Sequence, residues 1–168
     1  MKYIASAQNE SLKHLAKLLT QAKARREHRQ TVLEGVHLLD AYLHSGGCPQ
    51  QVYVPEPRLA HAEVQALLAR LPSAAVTVVQ AAALGKISSL TQADELMSLV
   101  ATPSLSQWPQ QEDCLVLERV QDPGNVGTIL RSAAAAGVRQ VLCSTDSVDV
   151  WSPKVLRAGM GAHFLLQL

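Results

Sequence analysis

"ERVQDPGNVGTILRSAAAAGV", residues 118–138, is the stretch whose reading decides the fold. An apolar run, "CLVLERV" (114–120), leads into it and predicts a strand. Pro123 and Gly124 predict a tight turn over 121–127. A helix is expected over 127–137, stopped by Gly137. In that helix Val126, Ile129, Leu130, Ala133, Ala134 and Ala136 can all be buried, while Thr128, Arg131 and Ser132 share one face. An unpaired guanidinium inside a protein costs on the order of several kcal/mol. Arg131 must therefore meet an anion or open onto a cleft, and a pairing with Asp122 or Glu118 is the plainer of these options.

The loop before the helix suits a ligand. Asp122 and Asn125 carry short polar side chains that bond to nearby backbone and can hold the loop rigid. Gly127 allows a ligand or a second backbone to come close. The free N–H groups of the helix start favour a phosphate or carboxylate. Ligands of open α/β sheets bind at such carboxyl ends of strands. A dinucleotide site is a weaker reading, because "GNVG" (124–127) lacks the full glycine fingerprint and no acidic residue ends the following strand.

Strands and helices alternate on either side of this stretch. Strands are expected at 31–35, 50–56, 74–80, 96–102, 139–144 and 163–168. Helices are expected at 8–24, 36–47, 61–71, 81–90 and 152–161, with "RREHRQ" as a basic connector after the first. The pattern predicts an α/β fold with mostly parallel strands. Residues 102–113, "TPSLSQWPQQED", break the rhythm and read as a linker, dividing the chain into domains at 1–101 and 114–168.

The composition, 48% hydrophobic and 17% charged, excludes wholesale disorder. The net charge of +1 names no partner, but its distribution does. Residues 1–30 hold seven Lys/Arg against Glu10 and Glu27, a local +5, while the remainder is −4. Lys13, Lys17, Lys23, Arg25, Arg26 and Arg29 form a basic stripe able to attract nucleic-acid phosphates. A solvated helix face would have the same composition. The three cysteines are widely spaced and predict free thiols of a reducing compartment. The six histidines show no zinc-ligand spacing, so no metal is expected. No apolar run is long enough to span a bilayer and no leader pattern opens the chain, so no membrane partner and a cytoplasmic location are expected.

With these residues assembled, the chain resembles the SpoU (TrmH) family of RNA ribose methyltransferases, within the knotted SPOUT superfamily. "LERVQDPGNVGTILRSAAAAGV" is similar to that family's first motif: Asp-Pro-Gly-Asn, a glycine two residues later, then an arginine followed by a small residue and alanine. "SPKVLRAGMGAHFLLQL" (152–168) resembles the segment after the family's second strand. "VLEGVHLLDAYL" (32–43) resembles the start of a small substrate-binding domain related to an RNA-binding ribosomal protein. The resemblance implies such a domain followed by the first part of a Rossmann-like, trefoil-knot domain. It also implies S-adenosylmethionine as methyl donor, a ribose 2′-hydroxyl of ribosomal or transfer RNA as acceptor, and a homodimer. Arg131 would be the main catalytic residue, with Asn125 in support and Glu118 as a weaker candidate. The family's glycine- and glutamate-rich loop and its Ser-Leu-Asn segment do not occur before Leu168. The knot is therefore expected to be missing, most of the cofactor pocket with it, and the chain alone is expected to be inactive. A non-catalytic RNA-binding protein and a Rossmann-type nucleotide-binding enzyme are the alternatives.

Overall fold

A computed structural model describes residues 2–88, 95–103 and 113–168. The core of the expected linker, 104–112, lies outside these residues, as does 89–94, which holds the end of the expected fourth helix and most of the connection to the next strand.

The N-terminal domain is a three-layer sandwich around one five-stranded sheet. Its elements in order are β1 (Lys2–Ile4), α1 (Glu10–Thr20), α2 (Ala22–His28), β2 (Gln30–Glu34), α3 (Val36–His44), β3 (Gln51–Pro55), α4 (Ala62–Leu68), β4 (Val76–Val79), α5 (Ala81–Gly85) and β5 (Met97–Ala101). The spatial order is β1-β4-β3-β5-β2. Strand side chains alternate between faces, so β3 feeds both layers. Tyr53 faces Leu12, Leu15 and Leu18 of α1, while Val52 and Val54 face Leu39, Val64 and Leu67 of α3 and α4.

The sheet is mixed, not mostly parallel. β1 and β3 run parallel to β4, but β5 lies antiparallel to both β2 and β3. Four successive residues of β5 are buried, and a strand buried on both faces shows the same pattern in either direction. A second difference concerns the basic connector. The expected helix over 8–24 breaks at Gln21, whose backbone is extended, and α2 continues through most of "RREHRQ" to a left-handed Arg29. Asn9 caps α1 by accepting from the Ser11 N–H at 2.9 Å.

The C-terminal domain pairs β6 (Cys114–Leu117) in parallel with β7 (Gln140–Cys143), joined through α6 (Pro123–Ala135) and followed by α7 (Pro153–Gly159). Leu117, Val126, Leu130, Ala133, Val141, Val155 and Leu166 form its core. The run 163–168, expected as a strand, is instead a 3-10 turn at Ala162–Leu165, followed by a single bridge from Gln167 to Gln140. Gly161 turns the chain with φ 90°, and the turn lets Ala162, His163 and Leu166 point inward together.

The two domains pack directly on one another. Leu33, Leu38 and Val100 bury against Leu156, with Tyr42, Trp151 and Phe164 around them. Polar ties frame this apolar patch. The Arg25 Nε donates to Asp149 at 2.7 Å, the Thr31 hydroxyl donates to the Trp151 carbonyl at 2.8 Å, and Arg157 Nη1 donates to Glu34 at 2.7 Å.

Candidate active site

The Asp-Pro-Gly-Asn stretch is the first turn of α6, not a loop ahead of it. Pro123 occupies the first helical position, where its missing N–H costs nothing and its φ is already helical. Asp122 is the N-cap, and its carboxylate accepts from the Asn125 N–H at 2.7 Å. The helix therefore starts four residues earlier than its apolar pattern suggested. Asp122 is occupied as a cap and makes no ion pair with Arg131.

Gly127 explains how the next element comes close. A Cβ there would lie 2.3 Å from the Ala158 Cβ and 2.7 Å from the Gly159 nitrogen. Of the two roles open to this glycine, the structure shows close approach of a second backbone, that of α7. The crossing brings the turn after α7 beside Arg131, one helical turn further along α6.

Arg131 is exposed on α6 and, among the described residues, makes no hydrogen bond or ion pair. It lines a cavity of about 490 Å³. Ala134 and Ala135, three and four residues on, extend the same wall. Gly159, Met160 and Leu165 form a second wall. Ala41, His44 and Ser45 at the end of α3 form a third, so the N-terminal domain contributes one side of this open site. Small side chains around one cation leave room for an anion to reach the guanidinium from solvent.

The other expected site residues lie elsewhere. Asn125 and Glu118 do not line this cavity. Asn125 is exposed at the start of α6. Glu118 follows β6 and pairs with Arg119 across 3.5 Å, both well exposed. Of the basic stripe, Lys13, Lys17, Lys23, Arg26 and Arg29 are exposed. Arg25 is the correction. Its side chain is 6% exposed, bonded to Asp149 and to the Leu18 carbonyl, and so is withdrawn from any RNA-facing set. Two contributions to the cavity escaped the sequence: α3, and the turn around Met160. Both depend on how the domains pack, which no local pattern encodes.

Beneath the turn, His163 is buried at 1% exposure, with Nε2 at 2.8 Å from the Val150 carbonyl. Burial lowers its pKa from 6.5 to about 4, the carbonyl bond opposing. A Cβ at Gly159 would stand 2.5 Å from this ring, so only glycine fits there.

Two family models match the chain. The SpoU rRNA Methylase family model covers residues 113–168, and the MRM3-like substrate binding domain model covers residues 9–98. The chain belongs to the SpoU rRNA methylase family. Its first motif carries Arg131, and its substrate-binding domain supplies α3. A tRNA/rRNA methyltransferase of Synechocystis sp., itself uncharacterized, is 40% identical to this SpoU chain over 97% of it and 60% of that protein. The crystal structure of an RNA 2′-O ribose methyltransferase superposes with a TM-score of 0.76 at 35% identity, covering 98% of this chain and 64% of that one. An AdoMet-bound rRNA methyltransferase from Sinorhizobium meliloti gives 0.79 at 28% identity, covering 98% and 62%. The SpoU chain thus spans about three-fifths of the length of these relatives. Membership removes the Rossmann-type nucleotide enzyme as an alternative.

Proposed function

We propose that the protein transfers a methyl group from S-adenosylmethionine to a ribose 2′-hydroxyl of ribosomal or transfer RNA, with Arg131 as the electrostatic centre of the site. One observation carries this: the motif arginine stands exposed and unpaired among the described residues, on an open cavity that the substrate-binding domain walls on one side. The relatives named above as RNA ribose and rRNA methyltransferases support the substrate class.

S-Adenosylmethionine supplies an electrophilic methyl on a sulfonium. The Arg131 cavity does not suit that group. Its walls are alanine, glycine, Met160 and Leu165, and its polar groups are Arg131, His44 and Ser45. A guanidinium repels a sulfonium, and no carboxylate stands in the lining to offset it. No residue is therefore assigned to the cofactor. What the cavity suits is the RNA. An arginine, with a pKa above about 12, is a poor base. Arg131 acts as a clamp on the adjacent phosphate or on the negative charge that develops at the ribose oxygen. Asn125, by this reading, orders the start of α6, and Glu118 is a minor contributor.

Lys13, Lys17, Lys23, Arg26 and Arg29 hold RNA phosphates and set the register of binding. The domain limits are taken as 1–101 and 114–168. A homodimer fits the exposure of Val116 on β6, away from the Arg131 cavity. No described helix is long and apolar enough to cross a membrane, and we place the protein in the cytoplasm.

The test is product chemistry. The intact protein is incubated with ribosomal RNA and methyl-labelled S-adenosylmethionine, and the RNA is digested to nucleosides. Label in a 2′-O-methylnucleoside is expected. Label confined to a base would contradict the proposal, and RNA binding without any transfer would favour the non-catalytic alternative.

A further inference from the structure

The Arg131 cavity has a wall that the first motif does not supply, the last turn of α3. Close contacts fix that turn in place. Gly161 leaves room for Ala41, since a Cβ on the glycine would come within 2.7 Å of the Ala41 Cβ. Tyr42 meets Phe164 edge to face at 5.1 Å. Behind them, Glu34 takes Arg157 at 2.7 Å, with the Glu34 side chain 1% exposed. The end of α3 is therefore held against the C-terminal domain and does not swing on a free hinge.

His44 stands on this wall, and its ring is oriented. Nδ1 lies 2.9 Å from the Asp40 main-chain carbonyl and 3.0 Å from Asp40 Oδ1. Both partners are acceptors, so Nδ1 carries the hydrogen. Asp40 Oδ1 is in turn held by Arg70 Nη1 at 2.8 Å. In a neutral imidazole the proton on Nδ1 makes Nε2 an acceptor, and Nε2 has no partner among the described residues. With His44 neutral, one cavity thus carries a cationic donor, Arg131, and an acceptor nitrogen, His44 Nε2. A sugar–phosphate backbone offers the complement, an anionic oxygen next to a hydroxyl hydrogen. DNA lacks that hydroxyl.

We propose that His44 is a substrate-contacting residue of the Arg131 site, accepting a hydrogen bond from an RNA ribose hydroxyl while Arg131 holds a phosphate. Asp40 and Arg70 are positioning residues that fix its tautomer and ring. The inference rests on the RNA-methyltransferase reading of the same site and adds to it a group from the substrate-binding domain that distinguishes RNA from DNA.

Binding to a fluorescein-labelled RNA stem–loop and to its DNA counterpart of equal sequence tests this in the intact protein. The wild type prefers the RNA. His44→Ala, an exposed substitution, lowers that preference by about fivefold, the worth of one hydrogen bond. His44→Gln, which retains an acceptor, keeps part of it, and Asp40→Asn gives an intermediate loss. His37→Ala, an exposed histidine on the same helix but off the cavity, leaves it unchanged. A histidine serving only its own helix would move none of these ratios. A wild type that prefers RNA and a His44→Ala variant with the same preference would overturn the inference alone. A wild type with no preference for RNA would overturn it together with the reading on which it rests.

Discussion

The contact between the two domains and the cavity on α6 treat an arginine in opposite ways. At the contact, Arg25 is enclosed, and its guanidinium is met by the Asp149 carboxylate and the Leu18 carbonyl. At the cavity, Arg131 stands among mostly small or apolar side chains and is exposed, with no hydrogen-bond or ion-pair partner among the described residues. A buried cation that is satisfied holds structure together and is unavailable to a ligand. An exposed one without a partner adds little to folding and is free to meet an anion. The difference separates an arginine that builds the molecule from one that is kept for a guest.

The comparison gives predictions that can be ranked by loss of folding stability. Arg25→Ala leaves Asp149, which is 19% exposed, with the Trp151 N–H but no cation, and should cost about 3 kcal/mol in urea unfolding. A cost near zero would mean that water reaches this contact and that the contrast with Arg131 is false.

Next comes acid. His163 is neutral when folded, with a pKa of about 4 against 6.5 when unfolded. The unfolded chain binds the extra proton first, so this contribution is complete above pH 6.5 and is lost as pH falls towards 4. The gap corresponds to at most about 3 kcal/mol. Unfolding free energies across that range should fall more steeply for the wild type than for His163→Gln. Parallel slopes would mean that His163 stays solvated.

Gly127→Ala follows. It drives a methyl into the α7 backbone and should cost roughly 1–3 kcal/mol, and a neutral result would show that α6 and α7 are less tightly packed than described. The smallest effect belongs to the exposed stripe. Lys23, 85% exposed and 3.7 Å from Glu27, should change stability by less than about 0.5 kcal/mol on mutation to alanine. The same change should lower the salt slope of RNA binding by about one. An unchanged slope removes Lys23 from the RNA contacts.

Much of this was legible in the sequence because periodicity reports burial. The leucines of α1 and Val126, Leu130 and Ala133 of α6 pointed inward as their spacing required, and Arg131 faced out for the same reason, whereas Ala136, expected to be buried, is exposed and Ala134 is only half-buried because the far end of α6 borders the cavity. Charge reported less. "RREHRQ" reads as a basic connector whose arginines face RNA, yet Arg25 lies on the inner face of α2 because a distant Asp149 satisfies it. Strand direction was hidden in β5, whose side-chain pattern is the same either way. β1, at three residues, is too short to show a period. The α3 wall of the cavity was invisible because it is made by packing between domains, and His44 lies 87 residues from Arg131 in the chain.

The central claim is that Arg131 serves a ligand and not the fold. Its most direct test measures methyl transfer and thermal unfolding on the same samples of Arg131→Ala and Arg131→Lys in the intact protein. The account predicts a loss of transfer of at least about 100-fold in both variants, with unfolding midpoints at the wild-type value. Near-normal transfer by Arg131→Ala, or a loss of activity matched by a collapse of the midpoint, would contradict it.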